Sequence, residues 1–345
     1  MLKIVNIIIF IVLQLQLLAD TKINLSTEPK WKNKQISIKE CLTIGEESFI
    51  DERYSFANIL DIAVSNHGNI IIIDSRTARV LKYSKSGKFL CYIGKGKGEG
   101  PGEFRRPWIV TVDNKENIYI ADHGSSLVLI FNDRGDYIKS FRTLYNPQSI
   151  AADSKGNVYL GYWSSRHGGA FIYKYDNNGK LLAKFCSPNN AKIAAVVEET
   201  GNSGALSLTP DGNLVYSFHY PYDTRIYSTD GKLHRRFARE NKSYEPPKWN
   251  KQCNCMESRS GCRAVKVMPD GKIVNLIFTM NRHNKDQYDY FFDIFNPDGD
   301  WLVSIPASHF KINLMRTFAF DNEGYIYIIY YEPFPHLKKF LLRFN

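Results

Sequence analysis

Apolar and polar residues alternate along this chain in short runs, and the runs come in groups of four. From Gly94 to Arg142 the sequence reads GKGKGEGPGEFRRPWIVTVDNKENIYIADHGSSLVLIFNDRGDYIKSFR. Its four apolar runs are Trp108–Asp113, Asn117–Asp122, Leu127–Asn132 and Tyr137–Arg142, each bounded by Asn, Asp, Gly or Ser. Short runs rich in β-branched and aromatic residues predict strands joined by tight turns. Four in succession predict an antiparallel meander. No long stretch carries a helical period.

The unit recurs, and two turns align its copies. One precedes the second strand, in HGNIIIID (Gly68), KENIYIAD (Asn117), KGNVYLGY (Gly156), DGNLVYSF (Gly212), DGKIVNLI (Gly271) and EGYIYIIY (Gly324). The other precedes the fourth strand, in SGKFLCYI (Gly87), RGDYIKSF (Gly135), NGKLLAKF (Gly179), DGKLHRRF (Gly231) and DGDWLVSI (Gly299). Such turns need positive backbone torsions, which glycine supplies; unit two departs from the pattern with Glu116. The expected fold is therefore all-β, a six-bladed β-propeller of four-stranded antiparallel blades. The last unit runs through Met315–Phe320, Tyr325–Tyr330 and Leu337–Phe344 and lacks an outer strand. The alternating segment Gln35–Ile44 (QISIKECLTI) is left over at the start and is predicted to fill that place and close the ring.

The loop GEGPGEFRRP before an inner strand, followed by the strand NIYIAD, resembles the NHL repeat. The resemblance runs from about Phe56 to the C-terminus and is strongest in blades one to three. It implies a rigid scaffold whose loop-rich face binds something, without implying one chemistry. Related six-bladed propellers include peptidyl-hydroxyglycine amidating lyases with a histidine-bound zinc and calcium-dependent lactonases, whose catalytic motifs are not matched here residue by residue. Some intracellular NHL domains bind RNA.

Composition adds compartment and charge. The chain has 345 residues, 21 Tyr, 21 Phe and a formal net charge of +10, with Lys and Arg scattered except for short clusters such as Arg105-Arg106 and Arg235-Arg236. That pattern fits a generally basic surface better than a nucleic-acid track. Lys3, the apolar run Ile4–Leu13 and Ala19 resemble a signal peptide over residues 1–19, with export to the periplasm, cell envelope or exterior expected. Residues 20–34 read as a flexible lead-in and 35–345 as one propeller domain, expected to be a monomer without a membrane span in its mature form.

Candidate chemistry is sparse. The GKGKGEGPG loop has the G-x-G spacing of phosphate cradles, but prolines and a strand follow it rather than a helix. Asp211, Asp230, Asp270 and Asp298 sit at turns, where bonding to local backbone explains them. No Ser-His-Asp set, nucleophile elbow or HExxH occurs. Cys253, Cys255 and Cys262 supply three thiolates without a fourth zinc ligand. In an exported protein a disulfide from Cys262 to Cys253 or Cys255 is expected to staple the insert Ala238–Ser260.

The loops between second and third strands gather residues suited to recognition. They hold Arg76 and Arg79 in blade one, His123 in two, Trp163, Arg166 and His167 in three, His219, Tyr220, Tyr222 and Arg225 in four, Arg282 and His283 in five, and Tyr331 and His336 in six. With Arg105 and Arg106 from an inter-blade loop, they predict a basic, aromatic-lined mouth for an anionic or sugar-like ligand. The expected function is a non-catalytic binding or scaffold module for a protein, peptide or glycan, with no cofactor and no catalytic residue. The alternative is a metal-dependent lyase or lactonase-like hydrolase with a divalent ion on His123, His167 and His219. RNA binding is the further alternative if the chain is intracellular.

Overall fold

The structure, a computed structural model, describes residues 23–32, 36–47, 50–162, 170–187, 204–240, 245, 247–250, 255–257, 259–281, 287–312 and 314–345. Among these, strands form six antiparallel blades in chain order. The inner strands are Ile59–Val64, Pro107–Val112, Ser149–Ala152, Gly204–Leu208, Ser260–Val267 and Phe318–Phe320. The second strands, such as Ile70–Asp74, Ile118–Asp122 and Ile326–Tyr330, are buried along their whole length, which is why they read as unbroken apolar runs.

Each blade packs face to face on the next. Among the described residues the core divides into six apolar clusters, one at each interface from blade one–two round to six–one. Hydrophobic burial therefore closes the ring as well as building each blade. The turn glycines before second and fourth strands all take positive φ. Glu116 stands in the same left-handed region with φ 66°, its side chain buried beside His67. Behind these turns Asp113, Asp153 and Asp321 accept hydrogen bonds from the hydroxyls of Tyr119, Tyr159 and Tyr327, each at 2.9 Å. The repeat thus stamps the same polar lock into three blades.

The aspartates that end the IIIID and IYIAD strands, Asp74 and Asp122, serve the connections that precede their blades. Asp74 accepts the backbone N–H groups of Ala57 and Asn58, and Asp122 accepts that of Arg106. These bonds tie each inter-blade connection to the end of a second strand. In the glycine-rich loop the N–H groups of Gly94, Lys95, Gly98, Gly100 and Phe104 are all used by protein acceptors, and Phe104 is fully buried. The loop is a folded connector between blades one and two.

The closing strand is Ile36–Ile44, which pairs antiparallel with His336–Phe344, from Ile36 opposite Phe344 to Ile44 opposite Leu337. The residues before it differ from the expected flexible lead-in. Asn24–Ser26 adds a parallel fifth strand to blade four, beside Phe237–Arg239. Lys30 and Trp31 then donate backbone hydrogen bonds to Trp301 and Leu302 of blade five, and the Trp31 ring meets Phe344 of blade six at 5.0 Å. One segment therefore straps the outer edges of three consecutive blades.

Candidate functional site

Inner strands begin, and second strands end, at the same mouth of the central channel, so the loops between second and third strands and the inter-blade connections meet there. A cavity of about 340 Å³ opens at this mouth, and its wall includes Asp61, Trp108, Gln148, His219, Arg263 and Arg316. Val110, Ile150, Leu206 and Lys266 line both this cavity and a second one of about 650 Å³ at the opposite mouth, among turn residues such as Asn66, Asn114 and Asn322. The larger opening is a ring of turns; the smaller one carries the charges.

Backbone irregularity aims the lining. In blade five Cys262 pairs with Ile277 and Ala264 with Leu276, leaving Arg263 as an extra residue in the ladder. In blade two Trp108 is extra between Pro107 and Ile109, and in blade one Leu60 is extra between Ile59 and Asp61. A bulge breaks the strict in–out alternation and re-aims a side chain. All three bulged residues line the same cavity.

Cations dominate that wall. Arg263 and Arg316 are exposed, and among the described residues neither they nor Lys266 makes an ion pair. The Arg263 guanidinium lies over Phe278 at 4.7 Å and Tyr290 at 5.8 Å; that of Arg316 lies 6.0 Å over Tyr331. Aromatic faces thus hold the guanidinium planes without consuming their N–H forks. Asp61 is buried and accepts the Val110 N–H at 2.9 Å. Burial pushes its carboxyl above the usual range, with Lys266 opposing. The Ser149 hydroxyl, on the cavity wall, is buried without a protein partner.

His219 is 7% exposed, and its Nδ1 donates to the Cys262 carbonyl at 3.1 Å, which sets the tautomer. Burial, reinforced by Arg263, lowers its pKa to about 4, so it is neutral at pH 7. The Cys262 N–H returns a bond to the His219 carbonyl. The second-to-third loop of blade four is thereby latched to the inner strand of blade five.

Of the other residues expected at the mouth, several serve the scaffold. Arg79 pairs with buried Asp74 and donates to the Glu52 and Ser55 carbonyls. Arg225 is buried on Asp223 and reaches the Ser187 carbonyl, and the Tyr222 hydroxyl donates to buried Asp293. His336 is buried, stacked on Tyr330 and bonded to the Phe334 carbonyl. His123 stands behind the wall, stacked 4.5 Å on Trp108 with Nε2 donating to the Pro147 carbonyl at 2.6 Å; burial lowers its pKa. Arg76, Arg105 and Arg106 are exposed, Arg105 pairing with Glu99 and Arg106 lying over Trp108 at 4.7 Å. Trp163, Arg166, His167, Arg282 and His283 lie outside the described residues. So does His167 as a metal ligand; among the described residues no three His, Cys, Asp or Glu groups gather to hold an ion.

Cys262 is a free, buried thiol packed in the blade four–five core with Tyr222 and Phe295, its Sγ donating to the Ala264 carbonyl. Its side chain packs into the interface between these two blades. Cys253 and the side chain of Cys255 lie outside the described residues; Cys255–Glu257 pairs as a small hairpin with Lys248–Asn250.

Comparison with known proteins places the architecture. The family DUF5128, described as a 6-bladed beta-propeller, matches residues 51–299, well over half of the chain. Human NHL repeat-containing protein 3 is 27% identical over 112 residues, 30% of this chain and 32% of that protein. Drosophila melanogaster protein brain tumor is 25% identical over 131 residues, 36% of this chain but 12% of that protein. The chain thus spans a third or less of these curated relatives. Among solved structures, a Bacteroides fragilis protein described as exported superposes with TM-score 0.60 at 13% identity, covering 94% of this chain and 99% of its own. The PQQ-bound aldose sugar dehydrogenase of Streptomyces coelicolor superposes with TM-score 0.53 at 9% identity, covering 90% and 99%. At such identities the likeness is one of fold.

Proposed function

The chain belongs to the 6-bladed beta-propeller family DUF5128, and from that premise we propose that it is an exported, non-catalytic binding module holding its ligand at the loop-rich mouth. The observation that carries this reading is the set of bulged inner strands, which turn Leu60, Trp108 and Arg263 toward one cavity at that mouth. Bulges also recur between third and fourth strands, where they belong to the scaffold; what supports recognition is that these three fall on inner strands and line one cavity. Export rests on the leader-like residues 1–19 and on the exported Bacteroides fragilis relative in fold.

The test is a glycan and peptide array probed with the full chain and with Gln148→Trp, which plugs the cavity from blade three. The reading expects ligands whose binding the plug removes while far-ultraviolet circular dichroism and melting temperature stay unchanged. Array ligands indifferent to the plug would move the binding surface elsewhere, with the Ala238–Ser260 insert next in line.

A further inference from the structure

We propose that the loop-rich mouth is a carboxylate-recognition site, in which Arg263 and Arg316 grip a small organic acid or the acidic terminal unit of a longer ligand. The proposal rests on the binding reading above and names the chemistry of its ligand.

Most strongly held arginines of this protein already have their anion. Arg79 has Asp74, Arg225 and Arg236 share Asp223, and Arg239 has Asp293, each pair with a nearly buried carboxylate. Arg263 and Arg316 come from adjacent blades, line one cavity and have no such partner among the described residues. Both guanidinium groups lie near aromatic rings, Arg263 over Phe278 at 4.7 Å and Arg316 over Tyr331 at 6.0 Å, which narrows their orientations before any ligand arrives. A guanidinium fork matches a planar carboxylate with two parallel hydrogen bonds.

The rest of the wall agrees. The one carboxylate on this wall among the described residues, Asp61, is buried, accepts the Val110 N–H and forms no ion pair with either arginine. Ser149 Oγ is buried, on the wall and unpartnered, and Gln148 adjoins it; these are groups for ligand hydroxyls. A cavity of about 340 Å³ admits one small acid. Phosphate sites commonly use a helix N-terminus or a nest of backbone N–H groups. No helix N-terminus stands at this mouth among the described residues, and in the glycine-rich loop the amides of Gly94, Lys95, Gly98, Gly100 and Phe104 already have protein acceptors.

Calorimetric titration of the full chain at low salt tests the assignment, with galacturonate and citrate as probes and galactose and inorganic phosphate as comparisons. The expected result is carboxylate binding at about 1 mM or tighter that weakens as salt is added, with none for galactose. Arg263→Gln and Arg316→Gln should each weaken it by about tenfold or more, and Arg316→Lys should recover only part, because an ammonium lacks the fork. Arg316 precedes its strand, so its variants leave the ladder intact. In this titration four results would overturn the proposal: no carboxylate binding, binding unchanged in the double variant, phosphate bound without carboxylates, or galactose bound as tightly as galacturonate. A neutral array ligand lost on plugging with Gln148→Trp would remove this inference and leave the binding reading standing.

Discussion

Arg225 and Arg263 are each an arginine inside a short strand-like run, yet they do opposite things. Arg225 sits in a regular ladder opposite Tyr216 and is buried on Asp223; Arg263 is the surplus residue of a bulge and stands exposed at the channel mouth. His219, beside Arg263, makes the electrostatics of this mouth measurable. Its folded pKa, about 4, lies below the ordinary histidine value near 6.5. Above pH 6.5 the ring is neutral in both states and costs nothing. As pH falls from 6.5 to 4, the unfolded chain takes up a proton that the folded chain refuses, so stability is lost, on the order of 3 kcal/mol by pH 4. Denaturation of wild type and His219→Gln across that window should show a flatter profile for the variant; parallel profiles would contradict the burial of a neutral ring. At this scale the sequence was a partial guide. His219 could be placed at the mouth because its loop position follows from the repeat. Arg263, Arg316 and Asp61 were missed because bulges and strand starts cannot be counted from alternation, although a charge inside the apolar runs ILDIAV and GCRAVKV was a usable signal.

The strands themselves were legible wherever turn chemistry was strong. Even the departure at Glu116 fell in place, because the turn imposes a left-handed residue whatever its side chain. The closing strand Ile36–Ile44 could be argued from a vacancy in the last blade. The strap before it could not. Asn24–Ser26 is short and polar, and its partner lies more than two hundred residues away. Its bonds to blades four and five, and the Trp31–Phe344 contact, suggest graded dependence on the N-terminal segment. A chain lacking residues 1–32 should fold with a reduced melting temperature, and Trp31→Ala alone should cost about 2 kcal/mol, less than a fully buried aromatic. A chain lacking residues 1–44 loses the whole outer strand of blade six and should give little soluble protein. Equal melting of all three forms would contradict closure by this segment.

At the scale of the molecule, six inter-blade cores make a rigid ring around a channel whose two mouths differ in character. One is a ring of asparagine-rich turns; the other is set with arginines that no carboxylate answers among the described residues. The net charge of +10 gains a location in this contrast. Scattered, solvated lysines leave little trace on binding, but converging arginines focus a field into a low-dielectric cleft. The central claim is that this mouth is where the molecule binds. Hydrogen–deuterium exchange of the full chain, with and without the tightest array ligand, tests it most directly. The account predicts slowed exchange in five separate stretches, around Leu60–Asp61, Trp108, Gln148–Ser149, Cys262–Lys266 and Arg316–Thr317, which only the channel mouth brings together. Protection confined to the Ala238–Ser260 insert, to the outer strands or to the opposite ring of turns would contradict it.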